Sequence, residues 1–250
     1  MSDALLRTEG LAKEFRGFQA VRGVDLTVQR GTIHALIGPN GAGKTTVFNL
    51  LTRFLPVSAG RILYKGEDIT GATPASVARR GIGRSFQISA TFLQLTALEN
   101  VRVALQRPLG TSFHFWRSGR SLRPLDARAL ALLDEVGLAD FAAVRAAELP
   151  YGRKRALEVA TTLALDPELL LLDEPMAGLG QQDIGRISQL IRRVGAKRTI
   201  VMVEHNLSVV AELCDRITVL TRGQVLTEGD YATVSRDPRV VEAYMGTGHA

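Results

Sequence analysis

The sequence predicts an α/β fold in which a parallel sheet is buried on both faces, a β region precedes it and a helical segment is inserted into it. Three observations carry this prediction. Apolar runs at 169–172, 199–203 and 217–220 are continuous rather than alternating, as strands covered on both faces require. A further apolar run, 32–37, leads into the loop Gly38-Pro39-Asn40-Gly41-Ala42-Gly43-Lys44-Thr45-Thr46, and Val47 to Leu51 continues with helical character. From about 91 to 165 the strand pattern gives way to a stretch dominated by Leu, Ala and Arg.

Taken in order, Leu5 to Phe15 and Val24 to Val28 read as β structure broken at Arg30-Gly31. Gly60 to Gly66 reads as an exposed hairpin strand, and Ala75 to Arg80 as a short helix entered through Pro74. Ala127 to Val136 and Arg155 to Leu165 are the predicted helices of the insertion. Ile184, Ile187, Ile191 and Val194 recur at helical spacing between the strands that end at Asp173 and begin at Thr199. No repeat or low-complexity tract interrupts the 250 residues, which read as one domain with a tail from about 231 to 250.

Composition sets outer limits. Hydrophobic residues make up 46% and charged residues 22%, ordinary for a globular chain. The 31 basic and 25 acidic residues leave +6, with the arginines scattered as on a solvated surface. A single cysteine, Cys214, excludes an intrachain disulfide and a cysteine-based zinc site. No apolar run reaches the ~18–20 residues of a membrane span. The opening Met1 to Arg7 lacks the basic-then-apolar layout of a signal peptide, so a cytoplasmic location is expected.

The loop from Gly38 to Thr46 fits G-x-x-x-x-G-K-[ST] in a strand–loop–helix context. Such a loop turns backbone N–H groups and a helix N-terminus toward phosphates, with Lys44 reaching the β- and γ-phosphates and Thr45 ligating Mg²⁺. Alone, it implies ATP or GTP. Asp173, at the carboxyl end of a buried strand, is placed for Mg²⁺, and Glu174 beside it could accept a proton from an attacking water. His205 follows the strand 199–203 and could reach a γ-phosphate. Gln87, after Ser85-Phe86, could offer its amide oxygen to Mg²⁺ or water.

Together with Leu149-Pro150-Tyr151-Gly152-Arg153-Lys154-Arg155, these motifs resemble the ATP-binding cassette (ABC) ATPases in order and spacing along essentially the whole chain. The resemblance implies a P-loop NTPase fold: an ABC ATPase domain with an N-terminal antiparallel β subdomain and an inserted α-helical subdomain. It looks closest to the longer ATPase of branched-chain amino-acid importers, on Tyr151-Gly152, on Ala177-Gly178-Leu179, on the ending Val241-Glu242-Ala243-Tyr244-Met245-Gly246 and on the extended segment 109–125. It further implies that Phe15 stacks on adenine with Val21 nearby. It implies that Pro150, Tyr151, Gly152 and Arg153 form a signature capping ATP held by a second ABC ATPase subunit. The partners it implies are that subunit, in a homo- or heterodimer, membrane permease subunits met through the groove at Gln87, and indirectly a periplasmic or extracellular solute-binding protein. The place it implies is peripheral, on the cytoplasmic face of the inner membrane.

Three positions depart from the family pattern. Pro150 stands where a serine is usual, Arg153 where a glutamine is, and Gly180 where an Asn or Asp is. Proline removes a hydroxyl and a backbone donor, and a lost hydrogen bond to a charged phosphate is worth roughly 1.5–3 kcal/mol. Arg153 could offset this with charge near the γ-phosphate. The expectation is a heterodimer with one weakened site. Two rival readings are a weakly hydrolysing regulatory subunit and a non-transport ABC ATPase acting on nucleic acid. The second would need paired cassettes or long coiled coils, which the chain lacks, so no nucleic-acid partner is expected. The cluster Phe113-His114-Phe115-Trp116-Arg117 could touch lipid headgroups or the membrane subunit, or pack on its own helices.

Overall fold

The computed structural model describes residues 4–85, 91–106 and 124–245. The chain divides into two compact units: Met1–Ile82, Glu168–Pro175 and Gly195–Ala250 form the first, Gly83–Pro167 and Met176–Val194 the second.

In the first unit, β1 (Ala4–Phe15) and β2 (Phe18–Gln29) form an antiparallel hairpin turned by Arg16 and Gly17, both at positive φ. With β4 (Ala59–Tyr64) and β5 (Glu67–Asp68) they make an antiparallel sheet in the order β2-β1-β4-β5. The stretch read as an exposed strand, 60–66, is exposed on one side only. Thr8 lies opposite Ile62 and Leu6 opposite Tyr64, and the two-residue period of the strand drives both Ile62 and Tyr64 into the core.

The parallel sheet matches the sequence prediction closely. Strands β3 (Ile33–Ile37), β7 (Leu169–Asp173) and β8 (Thr199–Val203) are buried at every position. The order is β10-β9-β3-β8-β7, with β9 (Arg216–Thr221) parallel to β3 and β10 (Gln224–Gly229) returning antiparallel to β9. β6 (Ile82–Ser85) lies where the chain leaves this unit for the second. Helix α1 (Lys44–Leu51) buries Val47, Phe48, Leu50 and Leu51 in one apolar cluster with Leu36, Leu169, Leu171, Val201, Val203 and Leu220. Each such side chain stabilises by roughly 1.5–3 kcal/mol, so the segment leaving the loop is firmly anchored. The short helix α2 (Pro74–Arg79) begins at the proline, capped by Thr73, whose side chain accepts the N–H of Ser76.

One polar chain crosses this core. His34 Nε2 lies 2.7 Å from Thr218 Oγ1, which donates to Glu228 Oε2 at 2.7 Å, so Nε2 carries the imidazole proton. His34 has 0% exposure, and its Nδ1 is buried without a hydrogen-bond partner. Burial pushes its pKa down to about 4; Glu228 opposes the shift and Arg216 adds to it.

The second unit is helical. Helix α3 (Ala97–Gln106) opens with a reciprocal cap: the Thr96 N–H donates to Glu99 Oε2 at 2.8 Å, and the Glu99 N–H to Thr96 Oγ1 at 3.2 Å. Helix α4 (Asp126–Glu135) lies within a residue of its predicted bounds. Helix α5 (Tyr151–Leu163) starts four residues before the predicted Arg155, because Pro150 takes the N-cap position, and α6 (Gln181–Gly195) carries the predicted apolar spacing. Helices α7 (Leu207–Leu213), α8 (Tyr231–Arg236) and α9 (Pro238–Met245) return to the first unit.

Candidate nucleotide site

The loop between β3 and α1 takes its shape from two close backbone approaches. Gly38 sits at φ +147°, where a Cβ would overlap the Leu220 carbonyl oxygen. Gly43 sits at φ +99°, where a Cβ would come within 2.7 Å of the Ala20 carbonyl oxygen. No L side chain fits at either place. The Ala42 N–H donates to Pro39 O at 3.2 Å and the Gly223 N–H to Ala42 O at 3.0 Å, tying the loop to the β9–β10 turn. Ala42 is buried, Pro39 half-buried, and Asn40 and Gly41 exposed.

Gly43 is the N-cap of α1 and supplies no side-chain cap, which leaves the first-turn N–H groups to the loop side. Lys44 is buried, and its Nζ donates to Gly38 O at 2.7 Å and Pro39 O at 2.9 Å. Burial pushes its pKa below the ordinary lysine value, and the Glu174 and Asp173 carboxylates push back. Both carboxylates therefore act on the lysine. Thr45 is exposed in the same turn, and Thr46 is half-buried.

Asp173 ends β7 at 2% exposure, level with Val203 of β8. The chain then bends sharply: Glu174 has φ +48°, left-handed backbone for a residue with a side chain, and its N–H donates to Val203 O at 2.9 Å. This turn sends the Glu174 carboxylate to the loop after β8, where Oε1 lies 3.0 Å from His205 Nε2. Strand register thus brings together the loop lysine, two carboxylates and the histidine.

The remaining expected residues separate. Phe15, at the end of β1, is 41% exposed, as a stacking surface must be, with Lys13 Nζ 5.1 Å from its ring centre. Val21 has no exposed surface, and its side chain lies 3.7 Å from where a Cβ on Gly43 would stand. Gln87 and the cluster 113–117 lie outside the described residues. For Mg²⁺ the donor chemistry fits: the Thr45 hydroxyl and the Asp173 carboxylate are hard oxygens, and this ion keeps water and phosphate among its ligands. Among the described residues no cluster of three or more His, Cys, Asp or Glu forms an all-protein cage.

The expected signature lies in the second unit. Pro150 is the exposed N-cap of α5 with no side-chain hydrogen bond, and its carbonyl accepts the Lys154 N–H at 3.0 Å. The Tyr151 hydroxyl donates to Ala177 O at 3.4 Å. A Cβ on Gly152 would come within 2.5 Å of the Asp183 carboxylate carbon, so any larger residue requires that side chain to move. The Arg153 guanidinium lies 3.6 Å over the Phe141 ring, so the role expected of it, charge at a γ-phosphate, competes with a stacking contact inside its own unit.

Sequence reasoning missed Asp183, Phe141, Glu204 and two tail residues. Glu204 is buried at 3% exposure, its carboxylate accepting the N–H groups of His205 and Asn206. Arg239 and Glu242 of α9 line, with Pro39 to Ala42 and Arg222, a cavity of about 540 Å³ behind the loop. Only Glu204 carried a legible signal, as a charged residue directly after the apolar run Ile200 to Val203.

Comparison with known proteins agrees with this geometry. Residues 21–177 match the ABC transporter family, and residues 224–250 match the family described as branched-chain amino acid ATP-binding cassette transporter. The chain is 38% identical to the high-affinity branched-chain amino acid transport ATP-binding protein BraF of Pseudomonas aeruginosa, over 98% of this chain and 99% of that one. It superposes on the ADP conformation of MJ1267, an ATP-binding cassette of an ABC transporter, with TM-score 0.86 and 31% identity over 97% of this chain and 99% of that one. The dimeric post-hydrolysis structure of the cassette MJ0796 with ADP and Pi aligns at TM-score 0.74 and 25% identity, over 90% of this chain and 98% of that one.

Proposed function

As this chain belongs to the ABC transporter family, we propose that it is the ATP-binding and ATP-hydrolysing subunit of an importer for branched-chain or related amino acids. The observation that carries the catalytic part is the 3.0 Å contact between Glu174 Oε1 and His205 Nε2, on a carboxylate that also acts on Lys44. In this reading the loop N–H groups and Lys44 hold the β- and γ-phosphates, and Phe15 stacks on adenine. Glu174 takes the proton of the attacking water, and His205 fixes the carboxylate for that transfer. Thr45 and Asp173 would hold Mg²⁺, which when bound neutralises phosphate charge. Gln87 is proposed as a further contact to Mg²⁺ or water.

The second ATPase subunit and membrane permeases complete the assembly, with this chain peripheral on the cytoplasmic face. No helix among the described residues is long and apolar enough to cross a membrane. We propose a heterodimer, because Pro150 brings no side-chain donor to the α5 N-terminus that would cap the partner's ATP. The weakened site is then the one whose phosphate loop belongs to the partner.

The test is reconstitution with membrane permease and solute-binding subunits of the same organism, measuring ATP turnover and uptake of leucine, isoleucine and valine. Turnover without uptake of these solutes would move the substrate assignment elsewhere. Absence of turnover in the complete assembly would overturn the enzymatic reading and favour a regulatory subunit.

A further inference from the structure

The turn that presents His205 is held by a side chain no role has yet been given. Glu204 is the first residue beyond the fully buried strand β8, and it is itself 97% removed from solvent. Its Oε2 accepts the N–H of His205 at 3.0 Å and that of Asn206 at 3.2 Å. A buried carboxylate is costly unless hydrogen bonds replace its water, and these two contribute to that replacement. The rest of the turn is fixed separately. Val203 O accepts the Glu174 N–H, and Asn206 Oδ1 caps α7 by accepting the N–H groups of Ser208 and Val209 at 3.1 and 3.3 Å. Asn206 therefore secures the helix, whereas the peptide that carries the imidazole is secured by Glu204.

We propose that Glu204 is a positioning residue for ATP hydrolysis, setting the backbone from which His205 Nε2 reaches Glu174 Oε1. The imidazole is exposed and its ring hydrogen bond is the one to Glu174, so a rotation of the 204–205 peptide swings Nε2 away from the carboxylate. Glu204 Oε2 bonds the backbone N–H groups of His205 and Asn206, so its effect would pass through His205. This rests on the assignment of Glu174 and His205 to hydrolysis.

The discriminating measurement is a double-mutant cycle on the assembled complex, with kcat and KM for ATP read separately. Glu204→Ala should lower kcat about tenfold and leave KM within about twofold, while Glu204→Gln, whose amide oxygen still accepts both N–H groups, keeps most of the activity. On a His205→Ala background, Glu204→Ala should cost less than about twofold further. Asn206→Ala serves as a control that removes a helix cap: it should lower the unfolding midpoint without lowering kcat. If Glu204→Ala does not fold, Glu204→Leu, which fills similar space and has no acceptor for these N–H groups, replaces it. Full activity of the Ala variant, undiminished losses on the His205→Ala background, or equal kcat losses from Asn206→Ala would each overturn the proposal. If His205→Ala itself leaves turnover unchanged, the underlying assignment of His205 fails instead, and with it the role of Glu204.

Discussion

The loop around Lys44 and the turn around Gly152 both present a helix N-terminus, yet they are built differently. The first is defined by backbone: Gly38 and Gly43 lie against carbonyl oxygens, and strand register supplies Asp173, Glu174 and His205 around one lysine. The second is defined by side chains of its own unit, with Asp183 against Gly152, Phe141 under Arg153 and Ala177 O accepting from Tyr151. One holds binding and acid–base groups together. The other offers a helix end and, among the described residues, no counterpart of the Glu174–His205 pair. In the proposed assembly the loop would bind nucleotide within a single chain, whereas the turn would acquire chemistry only when another chain brings a nucleotide to it.

The largest expected effect tests the completeness of the first region. Glu174→Gln should cut turnover by about 10²–10⁴-fold while leaving ATP affinity unchanged in equilibrium dialysis, and should hold the dimer closed in size-exclusion chromatography. Undiminished turnover would remove Glu174 from its role. Next comes a matched pair. Gly43→Ala should weaken ATP binding by the isolated subunit by about a hundredfold, because the new Cβ meets backbone that cannot yield. Gly152→Ala should leave that binding intact and lower turnover of the assembly about ten- to hundredfold. Equal losses of ATP binding in both variants would erase the distinction.

Acid should loosen the loop-bearing unit selectively. His34 has a folded pKa of about 4, below the ordinary 6.5, so between these values the unfolded chain binds the extra proton. Its stabilising contribution is complete above about pH 6.5 and falls by on the order of 3 kcal/mol as the pH drops toward 4. Urea midpoints at pH 7 and pH 4.5 should show this loss, and His34→Gln should flatten it. Pro150→Ser should raise turnover of the assembly up to about ten- to hundredfold by restoring a hydroxyl at the α5 N-cap. No gain would mean that the turn already caps its nucleotide well. Arg153→Gln, the mildest change, should cost about 0.5–1 kcal/mol of stability from the Phe141 stack and shift turnover less than about twofold. A tenfold loss of turnover would return the guanidinium to the γ-phosphate.

Legibility in the sequence follows the range of the interactions involved. Strands β7 and β8 were readable because burial on both faces leaves an unbroken apolar run, and the loop because its glycines sit at fixed spacing. Helix α3 could have been delimited, since Thr96 and Glu99 spell a capping box, whereas β10, at Gln224–Gly229, has too weak an alternation to announce itself. The start of α5 was misplaced because Tyr151 and Gly152 are poor helix formers, and the bond from Tyr151 to Ala177 O comes from far along the chain. The stack of Arg153 on Phe141 and the burial of Val21 likewise arise from packing, to which a single sequence gives no access.

The left-handed backbone at Glu174 sets selection for stability against selection for turnover. A residue with a Cβ at φ +48° costs roughly 1–2 kcal/mol that glycine or asparagine would largely avoid. A library screened only for heat resistance would therefore tend to discard this carboxylate, and the hardier variants it returned would be hydrolytically silent. Under the role proposed for Glu174, the most durable version of the protein and the working one are different molecules at this position.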